Sequence, residues 1–393
     1  MPDCCIALGG PEFLGENQTF LRRNTFVDCV FRGEGEEVVS QWLTCWNQPD
    51  AWKDITGLCY IDAKGDTYHD NGIARVLNFA GLVPPGQSRF FNWSKPFVQL
   101  ETTRGCFNTC AFCVSGGEKP VRTLSIESIR ERLQLIHAHG IKNVRVLDRT
   151  FNYNPRRAKE LLRLFLEFHP DIRFHLEIHP ALLSEELKEE LSLLPKGLLH
   201  LEAGIQSLRE PVLEKSRRMG KLSDALDGLR FLCALPNMET HADLIAGLPL
   251  YHLHEIFEDV RTLAGYAAGE IQLESLKLLP GTEMRRRAEE LGIKYSPLPP
   301  YEVLQTHEIS VSELQTARQL SRLLDGFYNT PAWQALTREL ILNDEQFLHR
   351  FLAYLTKANL IDQPMSLEKR GLILYEFCKQ NYPEYQIQAA IAG

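Results

Sequence analysis

The sequence has no long apolar run and no targeting segment. It contains no uncharged apolar stretch of about 18 residues, the length with which a helix crosses a bilayer. Its N-terminus, Met1-Pro2-Asp3-Cys4-Cys5, also lacks a basic segment followed by an apolar stretch, so a secretory signal is not indicated. These absences predict a cytoplasmic protein without a membrane partner.

Positively charged residues are also fewer than negatively charged ones. The 393 residues include 43 lysines and arginines against 51 aspartates and glutamates, which gives a formal net charge of −8. Such a chain has no basic field that attracts a polyanion, so we expect no nucleic-acid partner. Hydrophobic residues make up 44% and charged residues 24%, which is typical of soluble globular proteins and excludes a disordered or collagen-like chain.

Cysteine is too rare for a disulfide scaffold, with 10 in 393 residues. Most of these cysteines are scattered without a ligand-like spacing: Cys4, Cys5, Cys29, Cys45, Cys59, Cys233 and Cys378. Only Cys106, Cys110 and Cys113 cluster, in the pattern Cys-x3-Cys-x2-Cys. In a reducing compartment such a spacing favours thiols that bind a metal.

The middle of the chain predicts a parallel sheet. From Phe97 to about Leu291, short β-branched or apolar runs alternate with helical patterns, which is typical of repeated βα units. Six strands are predicted: Phe97 to Thr102, Asn143 to Asp148, Arg173 to His179, Leu198 to Ala203, Glu239 to Ile245 and Glu270 to Lys277. Ser125 and Ser184 can cap the helices that follow them. Since a complete barrel has eight units, the expected fold is α/β, with an open or partial (β/α)6 TIM-like barrel over residues 97–295.

The flanking segments have a different character. The first 50 residues hold two strand candidates and a helix: Cys5 to Leu8, Phe26 to Phe31, and Glu37 to about Trp46. That is less than half of a doubly wound domain, so residues 1–50 are predicted to form a fragment of a Rossmann-like α/β domain. Residues 51–96 contain many glycines and prolines and are predicted to connect this fragment to the barrel. Residues 296–393 show apolar spacings of three and four and are predicted to form an all-α domain.

The three clustered cysteines directly follow the first predicted barrel strand. Thiolates bind zinc or iron–sulfur clusters, and a Cys-x2-Cys pair taken alone is also typical of a redox site. A structural zinc usually takes four protein ligands, and a closed cubane cluster takes four cysteines. Three cysteines on one loop would leave one iron open to bind a further ligand.

At these residues the chain resembles the radical S-adenosylmethionine (radical SAM) superfamily. Its members carry Cys-x3-Cys-x2-Cys with an aromatic residue before the last cysteine, here Phe112. The resemblance implies that Cys106, Cys110 and Cys113 hold a 4Fe–4S cluster whose fourth iron chelates S-adenosylmethionine. It also implies reductive cleavage of S-adenosylmethionine to methionine and a 5′-deoxyadenosyl radical, with a reductant such as flavodoxin or ferredoxin as a partner.

Later segments extend the resemblance. Glu202 to Ser207 is similar to the family's Glu-x-Gly-x-Gln-Ser segment, Asp243 to Pro249 to its Asp-x-Ile-x-Gly-Leu-Pro segment, and Leu276 to Thr282 to its adenine-side strand and turn. Asp148, at the end of the second strand, is the candidate for the ammonium contact, because a carboxylate complements a positive charge; an ion pair at the barrel end is the alternative. The resemblance implies these cofactor-binding residues: Phe112, Asp148, Glu202, Gln206, Ser207, Asp243 and Gly247.

The two flanks resemble one branch of that superfamily. Residues 6–12, Ile-Ala-Leu-Gly-Gly-Pro-Glu, are similar to the last part of the cobalamin-binding domain, which implies that Gly9 and Gly10 approach a cobalamin. The tail resembles a C-terminal domain of uncharacterised function in the same branch. In the family the Gly-Gly-Pro-Glu turn follows roughly a hundred residues, so we expect either a chain that starts late or a lost cobalamin half. No histidine precedes His69, and the family's Asp-x-His-x-x-Gly motif is missing.

The resulting hypothesis is a 4Fe–4S enzyme that cleaves S-adenosylmethionine, acts on an unknown small-molecule or peptide substrate, and transfers a methyl group if cobalamin is present. The alternative is a non-catalytic or degenerate iron–sulfur or metal-binding protein. A methylthiotransferase is a third option, which an acidic tail disfavours. His175, Glu177 and His179 alternate on the third strand and face one side, where we interpret the histidines as structural rather than acid–base groups.

Overall fold

The computed structural model describes residues 4–62 and 64–383. Its N-terminal part is a four-stranded sheet in the order β1-β2-β3-β4. The elements are β1 (Ala7–Leu8), α1 (Gln18–Arg23), β2 (Cys29–Phe31), α2 (Gly35–Cys45), β3 (Leu58–Ile61) and β4 (Tyr68–Asp70). β1 and β2 pair in parallel, as expected for a Rossmann-like fragment, whereas β3 and β4 pair antiparallel. The ends of the expected domains, 1–3 and 384–393, lie outside the described residues.

The expectation that residues 51–96 only connect two domains is wrong, because β3 and β4 complete the N-terminal sheet. Two glycines near these strands serve close packing. A Cβ on Gly57 would lie 2.5 Å from Ala74 Cβ, and one on Gly33 would lie 2.4 Å from the Ala74 carbonyl oxygen. Composition alone does not distinguish a glycine that allows such an approach from one in a loop.

The second sheet is the barrel. Its elements are β5 (Val98–Leu100), a hairpin of β6 (Thr103–Arg104) and β7 (Arg122–Thr123), α3 (Ile126–Ala138), β8 (Asn143–Val146), α4 (Pro155–Leu166), β9 (Arg173–Ile178), α5 (Glu185–Leu193), β10 (Leu199–Gln206), α6 (Glu210–Lys215), α7 (Leu222–Ala234), β11 (Glu239–Ala246), α8 (Leu253–Gly265) and β12 (Glu270–Ser275). The six long strands are all parallel, in the order β5-β8-β9-β10-β11-β12. The predicted open (β/α)6 barrel is therefore confirmed.

Side chains alternate between the two faces of the barrel sheet. On β9, Phe174 and Leu176 are fully buried in the core shared with the helices, while His175 and Glu177 are half-buried on the lumen side. β10 has the same alternation over eight residues. The expected caps are also present, because the hydroxyls of Ser125 and Ser184 each accept the backbone N–H three residues ahead.

The C-terminal part begins with α9 (Glu283–Arg286) and a hairpin of β13 (Lys294–Tyr295) and β14 (Val303–Gln305). A helical bundle follows: α10 (Val311–Leu323), a π-helical turn (Leu324–Tyr328), α11 (Pro331–Asn343), α12 (Phe347–Lys357) and α13 (Leu367–Asn381). The expectation of an all-α segment missed the hairpin, because these strands have only two and three residues and show no periodicity. No helix in the described part of the chain is long and apolar enough to span a bilayer.

The segment after β1 meets the segment after the last barrel strand, β12. A Cβ on Gly15 would lie 3.2 Å from the Gly281 nitrogen, and one on Gly281 would lie 2.8 Å from Leu14 Cβ. The Tyr301 hydroxyl donates to the Glu12 carboxylate. The turn that follows β1 therefore lies beside the segment that follows β12.

Candidate functional site

The three cysteines lie on the long loop between β6 and β7, beyond the carboxyl end of β5. Cys106 and Cys110 are 8% and 7% exposed, and Cys113 is half-buried. Burial raises the pKa of the Cys110 and Cys113 thiols, and the neighbouring thiols of the same loop raise it further. The loop therefore gathers two buried sulfurs and one half-buried sulfur close enough to interact, in an environment that favours a positive partner for their thiolate forms.

Backbone hydrogen bonds hold this loop against the rest of the barrel. The Ala111 N–H donates to the Ser216 carbonyl at 2.9 Å, and the Ala111 carbonyl accepts from the Met284 N–H at 2.8 Å. Asn108 Oδ1 accepts from the Met219 N–H at 3.1 Å. A Cβ on Gly116 would lie 2.4 Å from the Cys110 carbonyl oxygen, so the loop closes tightly on itself. The segments after α6 and after β12 thus position the cysteines.

Arg218 contributes a positive charge that the sequence analysis missed. Its Nη1 lies 3.8 Å from Cys110 Sγ, and its Nη2 donates to the Gly204 carbonyl at the end of β10. Its charge lowers the pKa of the Cys110 thiol, and the charge of Arg149 lowers that of Cys113. Arg218 lies 108 residues after Cys110, so no local sequence signal marks this contact.

Both carboxylate oxygens of Asp148 already accept hydrogen bonds within the chain, and its ammonium contact stays a prediction. Asp148 is 1% exposed, and its Oδ1 accepts from the backbone N–H groups of Thr102 and Thr103 at 2.9 and 2.8 Å. Its Oδ2 accepts from the Thr102 hydroxyl. Burial raises the pKa of Asp148, while these donors lower it. Both oxygens are engaged because Asp148 joins β8 to the backbone that leads into the cysteine loop.

Three other acidic groups occupy the lumen beneath the cysteines: Glu177, Glu202 and Asp243. Burial and the charge of Glu202 raise the pKa of Glu177 and of Asp243 to about 7 each. His175 Nε2 donates to Glu202 Oε2 at 2.8 Å and lowers the pKa of Glu202. Asp243 Oδ1 is buried with no hydrogen-bond partner in the described part of the chain. The lumen therefore offers an anionic Glu202 beside an acceptor that needs a donor.

The other residues predicted to bind S-adenosylmethionine differ in how far their side chains and backbone are already engaged within the protein. Ser207 is fully buried, and its hydroxyl accepts from the Arg209 N–H at 3.1 Å, so its place beside a cofactor stays a prediction. Gln206 has φ +72°, and its side-chain nitrogen occupies the space where a Cβ on Gly204 would lie. Gly247 has φ +91° and packs near Val303 of the C-terminal hairpin.

Phe112 and the N-terminal glycines complete the set. Phe112 packs half-buried against the barrel core. Gly10 has φ +102°, and a Cβ there would meet no atom within 4 Å, so its backbone borders open space. A Cβ on Gly9 would be in ordinary contact with Phe31. The site residues thus group around the carboxyl ends of the barrel strands, with the glycine turn on the adjoining sheet.

The donor set fits an iron–sulfur cluster better than a single zinc ion. The loop supplies three thiols, and among the described residues these do not form a compact group that could hold one ion. A cubane cluster with one open iron needs three cysteines spaced more widely than the ligands of one ion. The buried, positively flanked loop satisfies that need with Cys106, Cys110 and Cys113.

Comparisons with known proteins agree with this geometry. The profile of the Radical SAM superfamily matches residues 100–263, and that of a family described as "Protein of unknown function (DUF4080)" matches residues 289–391. An uncharacterised methyltransferase of Pyrococcus horikoshii is 28% identical over 164 residues, which is 40% of this chain and 36% of that protein. The cobalamin-dependent radical SAM methyltransferase TokK of Streptomyces tokunonensis is 21% identical and aligns with 75% of this chain and 46% of its own length.

A solved structure covers almost the whole chain. The cobalamin-dependent S-adenosylmethionine radical enzyme OxsB, with aqua-cobalamin and S-adenosylmethionine bound, superposes with a TM-score of 0.63 at 16% identity. The match includes 96% of this chain and 62% of OxsB. The chain thus spans between about a third and two thirds of the length of these relatives. With the cysteine loop, the open barrel and the family match together, residues 100–263 form a radical SAM domain.

Proposed function

We propose that this protein binds a 4Fe–4S cluster and S-adenosylmethionine and cleaves S-adenosylmethionine reductively to a 5′-deoxyadenosyl radical that takes a hydrogen atom from the substrate. With cobalamin bound, the methyl group for the substrate would come from a second molecule of S-adenosylmethionine, which leaves as S-adenosylhomocysteine. The observation that carries the proposal is the buried loop with three thiols at the carboxyl end of the barrel, flanked by Arg218. The cluster, when bound, supplies the electron that splits S-adenosylmethionine into methionine and a 5′-deoxyadenosyl radical. The protein's own task is to hold, orient and shield these groups.

Different residues of the chain would bind the cluster, offset its charge and position its loop. Cys106, Cys110 and Cys113 bind the cluster as thiolates, and Arg218 offsets the negative charge beside Cys110. The loop's hydrogen bonds to Ser216 and Met284 keep the cysteines in place and exclude water from two of the three thiols. Asp148 acts as a positioning residue for the loop.

Asp243 and Glu202 are the better candidates to receive the cationic and hydroxyl donors of S-adenosylmethionine. Asp243 Oδ1 is a buried acceptor without a donor among the described residues, and a ligand donor would satisfy it. Gln206 and Gly247 mark the strand ends of β10 and β11, where a bound nucleoside would approach the backbone. Phe112 belongs to the same mouth of the barrel and would pack against the cofactor.

Cobalamin would bind at the Gly9-Gly10 turn. Gly10 faces open space, and the turn lies against the barrel segment at Gly281, so a group held there would lie on the side of the barrel that carries the cysteines. The similarity to TokK, a cobalamin-dependent radical SAM methyltransferase, supports methyl transfer as the reaction class, and the similarity to OxsB supports cobalamin as a cofactor. The described residues offer the backbone turn, but the sequence has no histidine before His69 to act as an axial ligand.

The proposed reaction also needs an electron donor and a substrate. A low-potential one-electron donor, of the flavodoxin or ferredoxin type, would deliver electrons to the cluster in the cytoplasm. The substrate is a small molecule or peptide that enters above the cysteine loop. The acidic net charge of −8 argues against a nucleic-acid substrate.

The test measures 5′-deoxyadenosine and S-adenosylhomocysteine formed from S-adenosylmethionine by anaerobically reconstituted, dithionite-reduced protein, with and without added cobalamin. The matched control is the variant with Cys106, Cys110 and Cys113 each changed to Ala. We expect product from the native chain alone. A full cluster with no product from either protein would favour the non-catalytic iron–sulfur alternative.

A further inference from the structure

A second cluster of metal-ligand atoms lies at the other end of the barrel lumen. His200 on β10, His241 on β11 and Glu270 on β12 each place one ligand atom within 4.8 Å of the other two. These residues lie near the amino ends of their strands, because His200 pairs with Glu239 and His241 pairs with Glu270 in the parallel ladder. At roughly 3.3 Å per residue, His200 is about 13 Å along β10 from Gly204, which lies near the cysteine loop. The cluster is therefore separate from the proposed cofactor site.

The contacts in this cluster compete for one proton. His241 Nε2 lies 2.6 Å from His200 Nε2 and 2.9 Å from Glu270 Oε2. One N–H on His241 Nε2 can point at only one of these two neighbours. When the Nε2–H of His241 points at Glu270, it does not bond to His200. When the proton of the His200–His241 contact lies on His200 instead, the lone pairs of His241 Nε2 and Glu270 Oε2 face each other. Because His241 is only 6% exposed, water cannot readily satisfy the contact that lacks a proton, and leaving it unsatisfied is costly.

A divalent cation removes this conflict. A metal ion accepts a lone pair from each of the three atoms, and two histidines with one carboxylate form a common ligand set for transition metals. With metal–nitrogen bonds of about 2.0 to 2.1 Å, the two Nε2 atoms would sit roughly 3.3 Å apart, so the rings need to separate by less than 1 Å. The Glu270 side chain is 40% exposed, which leaves an open side for a water ligand.

A second layer of polar groups is already in place. As the side chain stands, Gln272 Nε2 donates to His241 Nδ1 at 3.1 Å, and metal binding at His241 Nε2 would need the amide to rotate by 180° so that its oxygen accepts an Nδ1–H. Such a contact fixes the ring with Nε2 free to bind a metal. The His175 ring centroid lies 4.9 Å from that of His200, and His175 is held by Glu202. The positive charge nearest this end, Arg173, is paired with Glu239.

We propose that His200, His241 and Glu270 bind a divalent transition-metal ion that joins the amino ends of β10, β11 and β12. The ion completes its coordination with water at the exposed side of Glu270. This metal site is distinct from the iron–sulfur cluster, and its occupancy does not depend on the proposed methyl transfer. Its effect is structural, because it links the three strands farthest from β5, including the last strand of the open barrel.

The test uses the full chain with its iron–sulfur cluster loaded, washed with a chelator of low affinity for iron–sulfur iron and then titrated with Co²⁺. Equilibrium dialysis with elemental analysis measures the number of cobalt ions per chain, and visible spectra distinguish nitrogen and oxygen ligands from thiolates. We expect one cobalt per chain without a thiolate charge-transfer band. Parallel titrations with Zn²⁺ and Fe²⁺ identify the preferred metal.

Variants assign the site. His241→Ala should abolish binding, and Glu270→Gln, a conservative change at a partly exposed side chain, should weaken it at least tenfold. His137→Ala is the matched control, because His137 Nε2 pairs with Asp171 on the surface at 2.9 Å, and it should bind as the native chain does. If His241→Ala fails to fold, Glu270→Gln decides alone. No bound cobalt, or equal binding in Glu270→Gln and the native chain, would overturn the proposal.

Discussion

Replacing Asp148 distinguishes a positioning role from direct binding of S-adenosylmethionine. Asp148→Ala leaves the N–H groups of Thr102 and Thr103 without an acceptor, and both residues are at most 5% exposed. An unsatisfied buried donor costs about 1 to 3 kcal/mol, so the change should lower the free energy of unfolding by roughly 2 to 6 kcal/mol. Asp148→Asn keeps an oxygen for both donors, and its amide nitrogen can donate to the Thr102 hydroxyl. We expect it to cost only about 1 kcal/mol.

The assay is thermal unfolding followed by circular dichroism, combined with S-adenosylmethionine affinity by isothermal titration calorimetry on the cluster-loaded protein. For a domain of 150 to 250 residues, about 2 to 4 °C of melting temperature corresponds to each kcal/mol. Asp148→Ala should therefore melt roughly 10 °C lower, and Asp148→Asn roughly 3 °C lower with unchanged affinity. An Asn variant of native stability that no longer binds S-adenosylmethionine would refute this reasoning and support the ammonium contact.

Three further predictions concern the same face of the barrel. Arg218→Gln should lower the reduction potential of the cluster by roughly 60 mV in an EPR-monitored titration, because a positive charge at about 6 Å contributes up to roughly 3 kcal/mol before screening; an equal or higher potential contradicts the assigned charge effect. Burial raises the pKa of Glu177 from 4.5 to about 7, so the folded chain holds the extra proton between these values and the free energy of unfolding falls as pH rises from about 5 to 7. In Glu177→Gln, the free energy of unfolding from thermal melts should fall less between about pH 5 and pH 7. The same pH dependence as in the native chain would contradict the raised pKa of Glu177. Gly116→Ala places a Cβ 2.4 Å from a backbone oxygen and should reduce the iron bound per chain. The control Gly35→Ala, whose Cβ would meet only Val39 at 3.8 Å, should bind iron as the native chain does, and equal iron in both variants would contradict the prediction.

The barrel was predictable because its signals are local. Each strand is a short apolar run bounded by turn residues, and hydroxyl caps such as Ser125 mark the starts of helices. The cysteine motif lies within eight residues, so its sequence spacing determines which thiols share a loop. The strands Leu58–Ile61 and Tyr68–Asp70 were missed because they have only four and three residues and lie among glycines. Short strands of a mixed sheet have too few positions to show a period of two.

The chemistry that depends on distant residues was not predictable. Arg218 reaches Cys110 across 108 residues of sequence, through a loop whose path depends on the packing of α6. The histidine cluster joins three strands, and only their register brings the ligand atoms together. Asp148 lies at the predicted strand end, but no motif reveals that it accepts hydrogen bonds from the Thr102 and Thr103 backbone and from the Thr102 hydroxyl.

The two ends of the lumen carry opposite kinds of unsatisfied chemistry, and this difference supports two separate ligands. Toward the carboxyl ends, Asp243 Oδ1 has no hydrogen-bond partner among the described residues and lies beside an anionic Glu202, so a ligand with donors or positive charge would complement this end. At the amino ends, His241 Nε2 has two close neighbours and at most one proton to share, so a Lewis acid would bind all three groups at once. Glu202 lies between these ends and is held by His175, which keeps its charge available to the upper site. A sulfonium cofactor would complement the carboxyl ends, and a divalent metal ion would complement the amino ends.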